Sequence, residues 1–436
     1  MSNDVKPIAF YLPQYHQVEE NSRWWGQGFT EWTNVAKAKP NFLEHYQPHV
    51  PKDLGFYDLS NIEVMREQAK MAEMYGLFGF CFYFYWFNGR RILENPLDSY
   101  IQSDINFPFC FCWANENWTR TWDGLDKEIL LAQSHNQDDD MNLIKYLIPI
   151  FKDERYIKVD GKPMFIVYRV DLFPDIKNTV RIWREEAKKA GFEDLHLCAV
   201  QFYGIDDPRE WGFDAAIEFP PHKFINSENK PVEIPNIINP NFTGGIVDYP
   251  KVVSQAIHAK SREFIWYRGI IPSWDNTARR QNNPHTIINS SPILYQYWLR
   301  NIVDYTENTY SEANRFIFIN AWNEWGEGCH LEPDLKYGYA YLEATTKALK
   351  KLDFDFNELM ECASLTNSEL KRFTEEYNKA VLLSVLYANE NRTLNNKLNN
   401  KDARAYFAKN RIKEKLKKYP RIYTLIRSIY LKIRRK

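Results

Sequence analysis

Short apolar runs alternate with amphipathic segments along the first 350 residues, and this alternation narrows the possible folds more than any other feature. Eight runs rich in Phe, Ile, Val and Tyr are apolar at both odd and even positions, which is typical of buried parallel strands. These runs span residues 7–15, 77–87, 107–115, 164–169, 195–203, 215–219, 263–271 and 315–321. The segments between them carry apolar residues at helical spacing, as in the series Ile62, Met65, Ala69 and Ala72.

Eight strands that alternate with helices predict an α/β protein, a (β/α)8 TIM barrel with enlarged loops over residues 1–352. The links after the third and fifth runs look irregular. A doubly wound sheet is the alternative, but the Gly-rich turn GxGxxG of such folds is absent from the sequence. After residue 352 the chain becomes polar, and we expect a helical spacer over residues 353–403 and a basic amphipathic tail over residues 404–436. The barrel is therefore predicted to carry a helical C-terminal extension.

The charge distribution argues against nucleic acid as a partner. Residues 401–436 contain 14 Lys or Arg and two acidic residues, which leaves 42 basic and 55 acidic side chains in the first 400 residues. An acidic body with a basic tail predicts peripheral contact of the tail with an anionic membrane, and no nucleic-acid binding by the body.

The sequence predicts a cytoplasmic location. No segment has the features of a signal peptide, and no apolar run reaches the ~20 residues of a membrane span. Six cysteines in 436 residues match neither a disulfide framework nor zinc-ligand spacing. We therefore expect a cytoplasmic protein whose tail brings it to the inner face of the plasma membrane.

Two glutamates follow the eighth apolar run in the string NAWNEWGEG (320–328). The loops after the strands of a barrel form its active site, so Glu324 and Glu327 are predicted to lie in it together. Cleavage of a glycosidic bond needs one carboxylic acid to protonate the leaving oxygen and one carboxylate to act on the sugar. We predict that the two glutamates are this pair and that burial beside Trp322 and Trp325, as walls of the site, raises one pKa. The alternative is a pair of solvated loop residues.

Aromatic side chains accompany acids and amides at several other strand ends. Phe, Tyr and Trp make up 16% of the chain, and flat apolar rings of this kind stack on sugar rings. A further aromatic group, WWGQGFTEW (24–32), lies in a long insertion after the first run that is predicted to cover the barrel mouth. This recurrence predicts a carbohydrate site. The candidate substrate-binding residues are Trp25, Glu31, Trp32, Tyr83, Tyr85, Trp86, Trp113, Asn115, Glu116, Trp118, Trp274, Asp275, Trp322, Asn323 and Trp325.

The motifs of several other enzyme classes are absent from the sequence. It contains no P-loop, no HExxH and no GxSxG. No histidine pair has helical ligand spacing, so neither a metal nor a cofactor is predicted. The run DDD (138–140) is similar to the Asp-x-Asp metal site of sugar-nucleotide transferases, but it begins a helix, where acids favour the helix dipole. We interpret it as an N-terminal charge cluster.

Several longer strings resemble a known family. They are YLPQYH (11–16), WWGQGFTEWTNV (24–35), FYFYWFNGRRILENPLD (82–98), CWANENWTRTWDG (112–124) and WNEWGEGCHLEPD (322–334). They are similar to the WbsX-type family, which is labelled as glycosyltransferases of lipopolysaccharide O-antigen or capsule assembly and is grouped with glycoside hydrolase family 99. The resemblance covers roughly residues 6–350 and implies a (β/α)8 barrel without a metal.

The resemblance also implies a chemistry. The family-99 endo-α-mannosidases act with retention through a 1,2-anhydro sugar: one glutamate takes the proton of the sugar 2-hydroxyl, and the other protonates the leaving oxygen. Carried onto this chain, Glu324 is the base at O2 and Glu327 is the general acid/base. In the alternative retaining route Glu324 attacks C1 directly, which needs carboxyls about 5–5.5 Å apart.

The predicted function is that of a carbohydrate-active enzyme of bacterial surface-polysaccharide (O-antigen or capsule) biosynthesis. It cleaves or transfers a glycosidic bond of a glycan or a lipid-linked oligosaccharide. The acid pair favours glycosidase or transglycosidase chemistry, whereas the family label favours transfer. The alternatives are a sugar-nucleotide-dependent glycosyltransferase, which needs a nucleotide cleft, and a non-catalytic glycan-binding protein, which does not need the acids.

Overall fold

Eight parallel strands close into a barrel. The structure is a computed structural model that describes residues 5–120, 125–202, 204–225 and 236–364. The strands are β1 (Lys6–Tyr11), β2 (Gly79–Phe84), β3 (Phe109–Trp113), β4 (Lys162–Val167), β5 (His196–Val200), β6 (Ala215–Ile217), β7 (Ile265–Ile270) and β8 (Phe316–Ile319). Each strand pairs in parallel with the next along the chain, and β8 pairs with β1. The predicted (β/α)8 barrel is confirmed.

Helices follow most of the strands. In the insertion after β1 are α1 (Glu19–Trp25) and α2 (Glu31–Lys37). Along the rest of the chain lie α3 (Ile62–Met74), α4 (Glu94–Gln102), α5 (Gln137–Phe151), α6 (Ile176–Lys189), α7 (Tyr249–Ile257), α8 (Pro292–Thr309), α9 (Ala340–Leu349) and α10 (Phe356–Ser364). Between β5 and β6 the described residues form the 3-10 turn Pro208–Trp211 in place of an α-helix, which explains the irregular link after the fifth apolar run.

The barrel core is apolar because its strands bury both faces. All five residues of β3 are buried, and Cys110 and Cys112 are small core residues within it. In β1, Ala9 lies opposite Phe80 of β2 and Ile319 of β8. This register brings the C-terminal ends of neighbouring strands to one rim of the barrel, where the loops with the predicted site residues begin.

The α3 helix shows why the amphipathic segments form helices. Its N-cap is Asn61, whose side chain accepts a hydrogen bond from the backbone N–H of Glu63 at 3.2 Å. Met65, Ala69 and Ala72 are buried, as the helical spacing predicted. A capped N-terminus and one apolar face are together enough to fix this segment against the barrel.

Short strands build up the enlarged loops. Antiparallel pairs join Trp86–Phe87 to Arg90–Arg91, Trp118–Arg120 to Leu125–Leu131, Trp274–Asp275 to His285–Ile288, and Asn323–Glu324 to Cys329–His330. Gly245–Asp248 pairs in parallel with His285–Ile288, and Lys158–Val159 pairs with the start of β4. The loops after β2, β3, β7 and β8 therefore have regular structure of their own, which holds their side chains in place.

The described residues up to Phe354 form one compact unit, and α10 belongs to a unit that begins at Asp355. The predicted boundary at residue 352 and the two extension segments stay predictions, because residues 365–436 lie outside the described part of the chain. Among the helices that the structure describes, none combines the length and the apolar character needed to cross a membrane.

Candidate active site

A cavity of about 480 Å³ lies at the C-terminal ends of the barrel strands. Eight of the residues predicted from the sequence line it, and they come from the insertion after β1, from β2, and from the loops after β2, β3, β7 and β8. They are Trp25, Tyr83, Tyr85, Glu116, Trp118, Trp274, Glu324 and Glu327. The lining thus combines apolar rings with carboxylates, a composition suited to the apolar faces and hydroxyl groups of a sugar.

Glu324 and Glu327 are neighbours in the loop after β8. Glu324 ends the short strand Asn323–Glu324, and Glu327 ends the 3-10 turn Trp325–Glu327 that follows directly. The side chain of Glu324 is 6% exposed and that of Glu327 is 21% exposed. Glu327 is therefore the member of the pair that is nearer to solvent.

Arg279 joins the two glutamates, and the sequence did not predict its role. Its Nη2 lies 3.0 Å from Oε2 of Glu324, and its Nη1 lies 2.7 Å from Oε1 of Glu327. Its Nε donates to Oε1 of Glu31 at 2.8 Å. Glu31 is fully buried and does not line the cavity. One guanidinium thus holds three carboxylates, from α2 and from the loop after β8.

Burial sets the protonation of the pair. It raises the pKa of Glu324 to about 8; Arg279 opposes this shift, and the nearby carboxylates of Glu327 and Glu31 add to it. Burial also raises the pKa of Glu327, again against the effect of Arg279. Burial alone would lower the pKa of Arg279, but the three carboxylates raise it, so the guanidinium stays charged. The pair retains a proton near neutral pH, as acid/base catalysis requires.

A further carboxylate, Glu332, organises the same loop. It accepts hydrogen bonds from Nε1 of Trp322 at 2.9 Å and from Nε1 of Trp325 at 2.6 Å. Gln68 and Tyr57 also donate to it, at 2.6 and 2.8 Å. Both indole rings are buried and do not line the cavity, so they hold the loop through Glu332 and do not wall the site as expected. Glu332 stands inside the string 322–334, but nothing in that string distinguished its role.

Three more of the predicted aromatic residues are buried away from the cavity. The indole N–H of Trp32 donates to the carbonyl of Tyr57 at 2.7 Å. That of Trp86 donates to Oδ1 of Asp139 at 2.7 Å, and that of Trp113 donates to the carbonyl of Trp86 at 3.2 Å. These rings pack the base of the loops, because a buried indole N–H needs an acceptor inside the protein.

Two of the predicted amides link neighbouring loops. Asn115 accepts from the backbone N–H of Arg169 and donates to its carbonyl, both at 2.8 Å. Asn323 makes the same double contact with Leu12, at 2.7 and 3.0 Å. Both side chains are fully buried, so they fix the loops after β3 and β8 against the loops beside them.

Asp275 completes the set of predicted residues that do not line the cavity. Its Oδ2 lies 2.5 Å from Nε2 of His45 and accepts from Gln47 at 2.8 Å, while its Oδ1 accepts from the backbone N–H of Thr277 at 3.0 Å. It joins the loop after β7 to the insertion after β1. For Asp275 and the other predicted residues outside the lining, direct contact with a glycan stays a prediction.

Several lining residues were not predicted from the sequence. Tyr168 and His222 face each other, with 2.9 Å between the phenol oxygen and Nε2, and Trp24 packs edge-on against Trp118 with ring centroids 5.6 Å apart. The other unpredicted residues include Gln14, Asn21, Phe202, Phe219, Asn276, Arg279, Arg280 and His285. Tyr168, Phe202 and Phe219 lie at the C-terminal ends of the predicted runs 164–169, 195–203 and 215–219, and this position is the signal that would have identified them.

The chain is a (β/α)8-barrel protein whose cavity is lined by aromatic rings and carboxylates. Residues 7–345 match the family described as Glycosyltransferase WbsX, and the chain belongs to that family. The resemblance inferred from the separated motifs is thereby confirmed.

Two curated relatives, both called "Uncharacterized protein WxcX" and both from Xanthomonas campestris pv. campestris, are 43% identical over 345 residues. The match covers 79% of this chain and 49% of each relative, so the chain spans about half the length of the curated relatives it matches. Their printed name assigns no activity.

Two solved structures are similar to this chain. A "Glycoside hydrolase-like protein" is 14% identical, with a TM-score of 0.52 over 79% of this chain and 94% of its own. An endo-α-mannosidase of glycoside hydrolase family 99 from Bacteroides thetaiotaomicron is also 14% identical, with a TM-score of 0.48 over 79% and 96% of the two chains. At 14% identity, the similarity to the glycoside hydrolase-like protein supports the barrel fold only.

Proposed function

We propose that this protein is a retaining carbohydrate-active enzyme of bacterial surface-polysaccharide assembly, in which Glu324 and Glu327 cleave or transfer a glycosidic bond. The observation that carries the proposal is the pair of buried carboxylates held on one guanidinium in an aromatic cavity. The pair lies at the end of a barrel strand, where barrel enzymes have their catalytic residues. Membership of the WbsX family supports the carbohydrate substrate.

The difference in exposure supports the proposed roles within the pair. The general acid must give a proton to the leaving oxygen and then exchange protons with an incoming hydroxyl, so it has to face the open part of the cavity. Glu327 is the more exposed member and fits this role. Glu324 is the deeper member, and a pKa raised to about 8 makes its ionised form a stronger base toward the sugar 2-hydroxyl.

A substrate without the 2-hydroxyl separates the two retaining routes. In the 1,2-anhydro route O2 attacks C1 while Glu324 takes the O2 proton and Glu327 protonates the leaving oxygen, so a 2-deoxy glycan cannot react. In the other route Glu324 itself forms the bond to C1, and a 2-deoxy glycan still yields a covalent adduct. Intact-protein mass spectrometry detects that adduct.

We further propose a glycan or lipid-linked oligosaccharide as the substrate. Trp25, Trp118 and Trp274 line the cavity from α1 and from the loops after β3 and β7. Glu116, which is bound to Arg169 at 2.6 Å, adds a fixed acceptor for hydroxyl groups. A volume of about 480 Å³ lies within the range of small-ligand sites, so a short segment of a longer chain would fit.

Mass spectrometry of reaction products tests the proposed activity. The purified protein is incubated with α-linked manno-oligosaccharides and, separately, with surface-glycan fragments from its own source. We expect shortened or rearranged glycans with the native protein and a loss of at least about 100-fold in Glu324→Gln and Glu327→Gln. Glu312→Gln is the matched control, because Glu312 is an exposed residue of a turn outside the cavity.

The name of the family favours transfer, which gives a second arm to the experiment. The same incubations are repeated with UDP- and GDP-sugars as donors. Products that form only with a nucleotide sugar would replace the glycosidase-type chemistry with nucleotide-dependent transfer. Tight glycan binding without any product, unchanged in both glutamine variants, would mean a binding protein.

We also propose that the enzyme works in the cytoplasm, with its basic tail at the inner face of the plasma membrane. The support is the concentration of 14 Lys or Arg in residues 401–436, beside a body with an excess of acids. Each basic residue near an anionic surface contributes about 1 kcal/mol, so the tail has ample charge for peripheral binding.

A further inference from the structure

Two buried histidines face each other where the insertion after β1 meets the loop after β8. Nδ1 of His49, in the insertion after β1, lies 2.9 Å from Nε2 of His330, in the loop after β8. Both side chains are buried, and neither lines the cavity. The carboxylate of Asp334, also buried, completes a group in which one ligand atom of each residue lies within 4.8 Å of the others.

The hydrogen bonds fix which nitrogen of His330 has a lone pair. Nδ1 of His330 lies 2.9 Å from the carbonyl of Glu332, and because a carbonyl only accepts, this nitrogen carries the hydrogen. Nε2 of neutral His330 is then unprotonated and points at His49. Ligating histidines usually donate their other ring N–H to a carbonyl or carboxylate in this way.

We propose that His49, His330 and Asp334 bind a divalent transition-metal ion, for which zinc is the best candidate. Metal–nitrogen bonds of 2.0–2.1 Å at a tetrahedral angle place two imidazole nitrogens about 3.3–3.4 Å apart, so the observed 2.9 Å has to open by only about 0.4 Å when the ion binds. Two imidazoles with one carboxylate form a common zinc set that leaves a fourth position for water. Imidazole ligands disfavour magnesium and calcium, which prefer oxygen.

Binding requires small adjustments only. His49 has to adopt the tautomer with its hydrogen on Nε2, so that Nδ1 offers a lone pair to the ion. The carboxylate of Asp334 has to approach the nitrogens, and its Oδ1 is held on the backbone N–H of Tyr337 at 2.6 Å. Oδ2 is therefore the oxygen that turns toward the ion.

The ion would join the two loops that meet at this point. The backbone already pairs them, since Lys52 N–H donates to Pro333 at 2.9 Å and Leu335 N–H donates to Val50 at 3.0 Å. The ring of His330 also stacks on Trp325 with centroids 3.7 Å apart, and Trp325 begins the 3-10 turn that ends at Glu327. The ion therefore has a structural role: it stiffens the loop that carries the acid pair and does not touch the substrate.

Calorimetric titration of the full chain with zinc tests the site. The protein is first treated with a chelator and dialysed, and its metal content is measured by mass spectrometry before and after reconstitution. We expect one zinc per chain, a higher melting temperature with the ion, and an affinity at least about 100-fold weaker in His49→Gln and Asp334→Asn. His258→Gln is the matched control, because it removes a histidine at the C-cap of α7 and leaves the cluster intact.

Cobalt substitution keeps the test decisive if a variant fails to fold. Four-coordinate Co²⁺ on nitrogen and oxygen ligands gives visible d–d absorption without a thiolate charge-transfer band. That spectrum in the native chain supports the site. No stoichiometric binding, a thiolate band that points to cysteine ligands, or equal zinc affinity in folded variants and control would each overturn the proposal.

Discussion

At the scale of single residues, the main feature of the site is that three carboxyl groups share one cation. Glu31, Glu324 and Glu327 all contact Arg279, and the guanidinium itself is only 15% exposed. If all three carboxyls were ionised, the cluster would hold two uncompensated negative charges in a poorly solvated place, which is costly. A proton retained by the pair relieves this cost, and the proposed chemistry needs that proton on Glu327 when it acts as the general acid.

Replacement of Arg279 by glutamine is expected to move the pH dependence of activity upward. The cation lowers the pKa of both Glu324 and Glu327, so its loss raises both. Both limbs of the kcat/KM profile, which report the free enzyme's acid and base, should shift to higher pH by about 1 to 3 units. Activity should therefore fall most on the acidic side, where the base becomes protonated.

Arg300→Gln is the control for this measurement. Arg300 pairs with Asp304 on the surface of α8, so its removal deletes one positive charge without a change in the cavity. Circular dichroism at each pH separates a shifted profile from unfolding. A profile of Arg279→Gln that coincides with the native one would refute the account of the acid pair given above.

The acid pair was predictable from the sequence, whereas its arginine was not. Glu324 and Glu327 are three positions apart in one string after a predicted strand, so their proximity follows from local sequence. Arg279 lies 248 residues from Glu31 and 45 from Glu324, and only the closed barrel brings them together. The sequence also could not predict which candidate residues line the cavity and which are buried away from it. Strands that are apolar on both faces show no alternation of polar and apolar residues that would mark the face toward the cavity.

At the scale of elements, the 3-10 turn Trp325–Glu327 and α2 pack too closely for any side chain at position 326. A Cβ on Gly326 would lie 2.1 Å from Oε1 of Glu31 and 2.9 Å from Nε of Arg279. The absence of a side chain therefore allows the 3-10 turn to approach the buried Glu31–Arg279 pair. Gly326 thus contributes to the site by allowing the turn and α2 to come into contact.

Gly326→Ala is expected to reduce both the activity and the free energy of unfolding. The added methyl group displaces the end of the Glu31 side chain, and overpacking of this kind costs about 1–3 kcal/mol of unfolding free energy. The same displacement moves Arg279 and with it the carboxyls of Glu324 and Glu327, and a shift of about 1 Å can cost about 100-fold in rate. Denaturant unfolding and product formation measure the two effects.

Gly245→Ala provides the comparison at the element scale. A Cβ on Gly245 would meet its nearest neighbour, His285 Nδ1, at 3.4 Å, which is an ordinary van der Waals distance. This variant should keep most of its activity and stability. Native activity in Gly326→Ala would mean that the contact between the turn and α2 does not set the position of the acid pair.

The barrel strands can be predicted from local sequence, whereas the structure of the loops cannot. Apolar runs such as residues 107–115 predicted each barrel strand, because a strand buried on both faces has few other solutions. The hairpin of Trp118–Arg120 with Leu125–Leu131 was not predicted, and neither was the pairing of Gly245–Asp248 with His285–Ile288. These pairings depend on which loops the barrel brings to the same rim.

At the scale of the whole molecule, the family match and the charge distribution describe different parts of the chain. The WbsX family match covers residues 7–345 and ends before the basic tail. The curated relatives extend well beyond the matched region, which accounts for 49% of their length. The proposed chemistry therefore belongs to the barrel, and the proposed membrane contact belongs to the segment after it.

Removal of the tail is expected to separate membrane binding from catalysis. A chain that ends at residue 400 loses 14 Lys or Arg and two acids. At about 1 kcal/mol for each basic residue near an anionic surface, even a few such contacts correspond to more than about 100-fold in affinity. Sedimentation with vesicles that contain phosphatidylserine should therefore pellet the full chain and leave the shortened one in solution, and added salt should release the full chain as well.

Vesicles of phosphatidylcholine alone are the control surface, and product formation on a soluble glycan should be the same for both chains. Equal binding of both chains to the anionic vesicles would assign any membrane contact to the barrel instead.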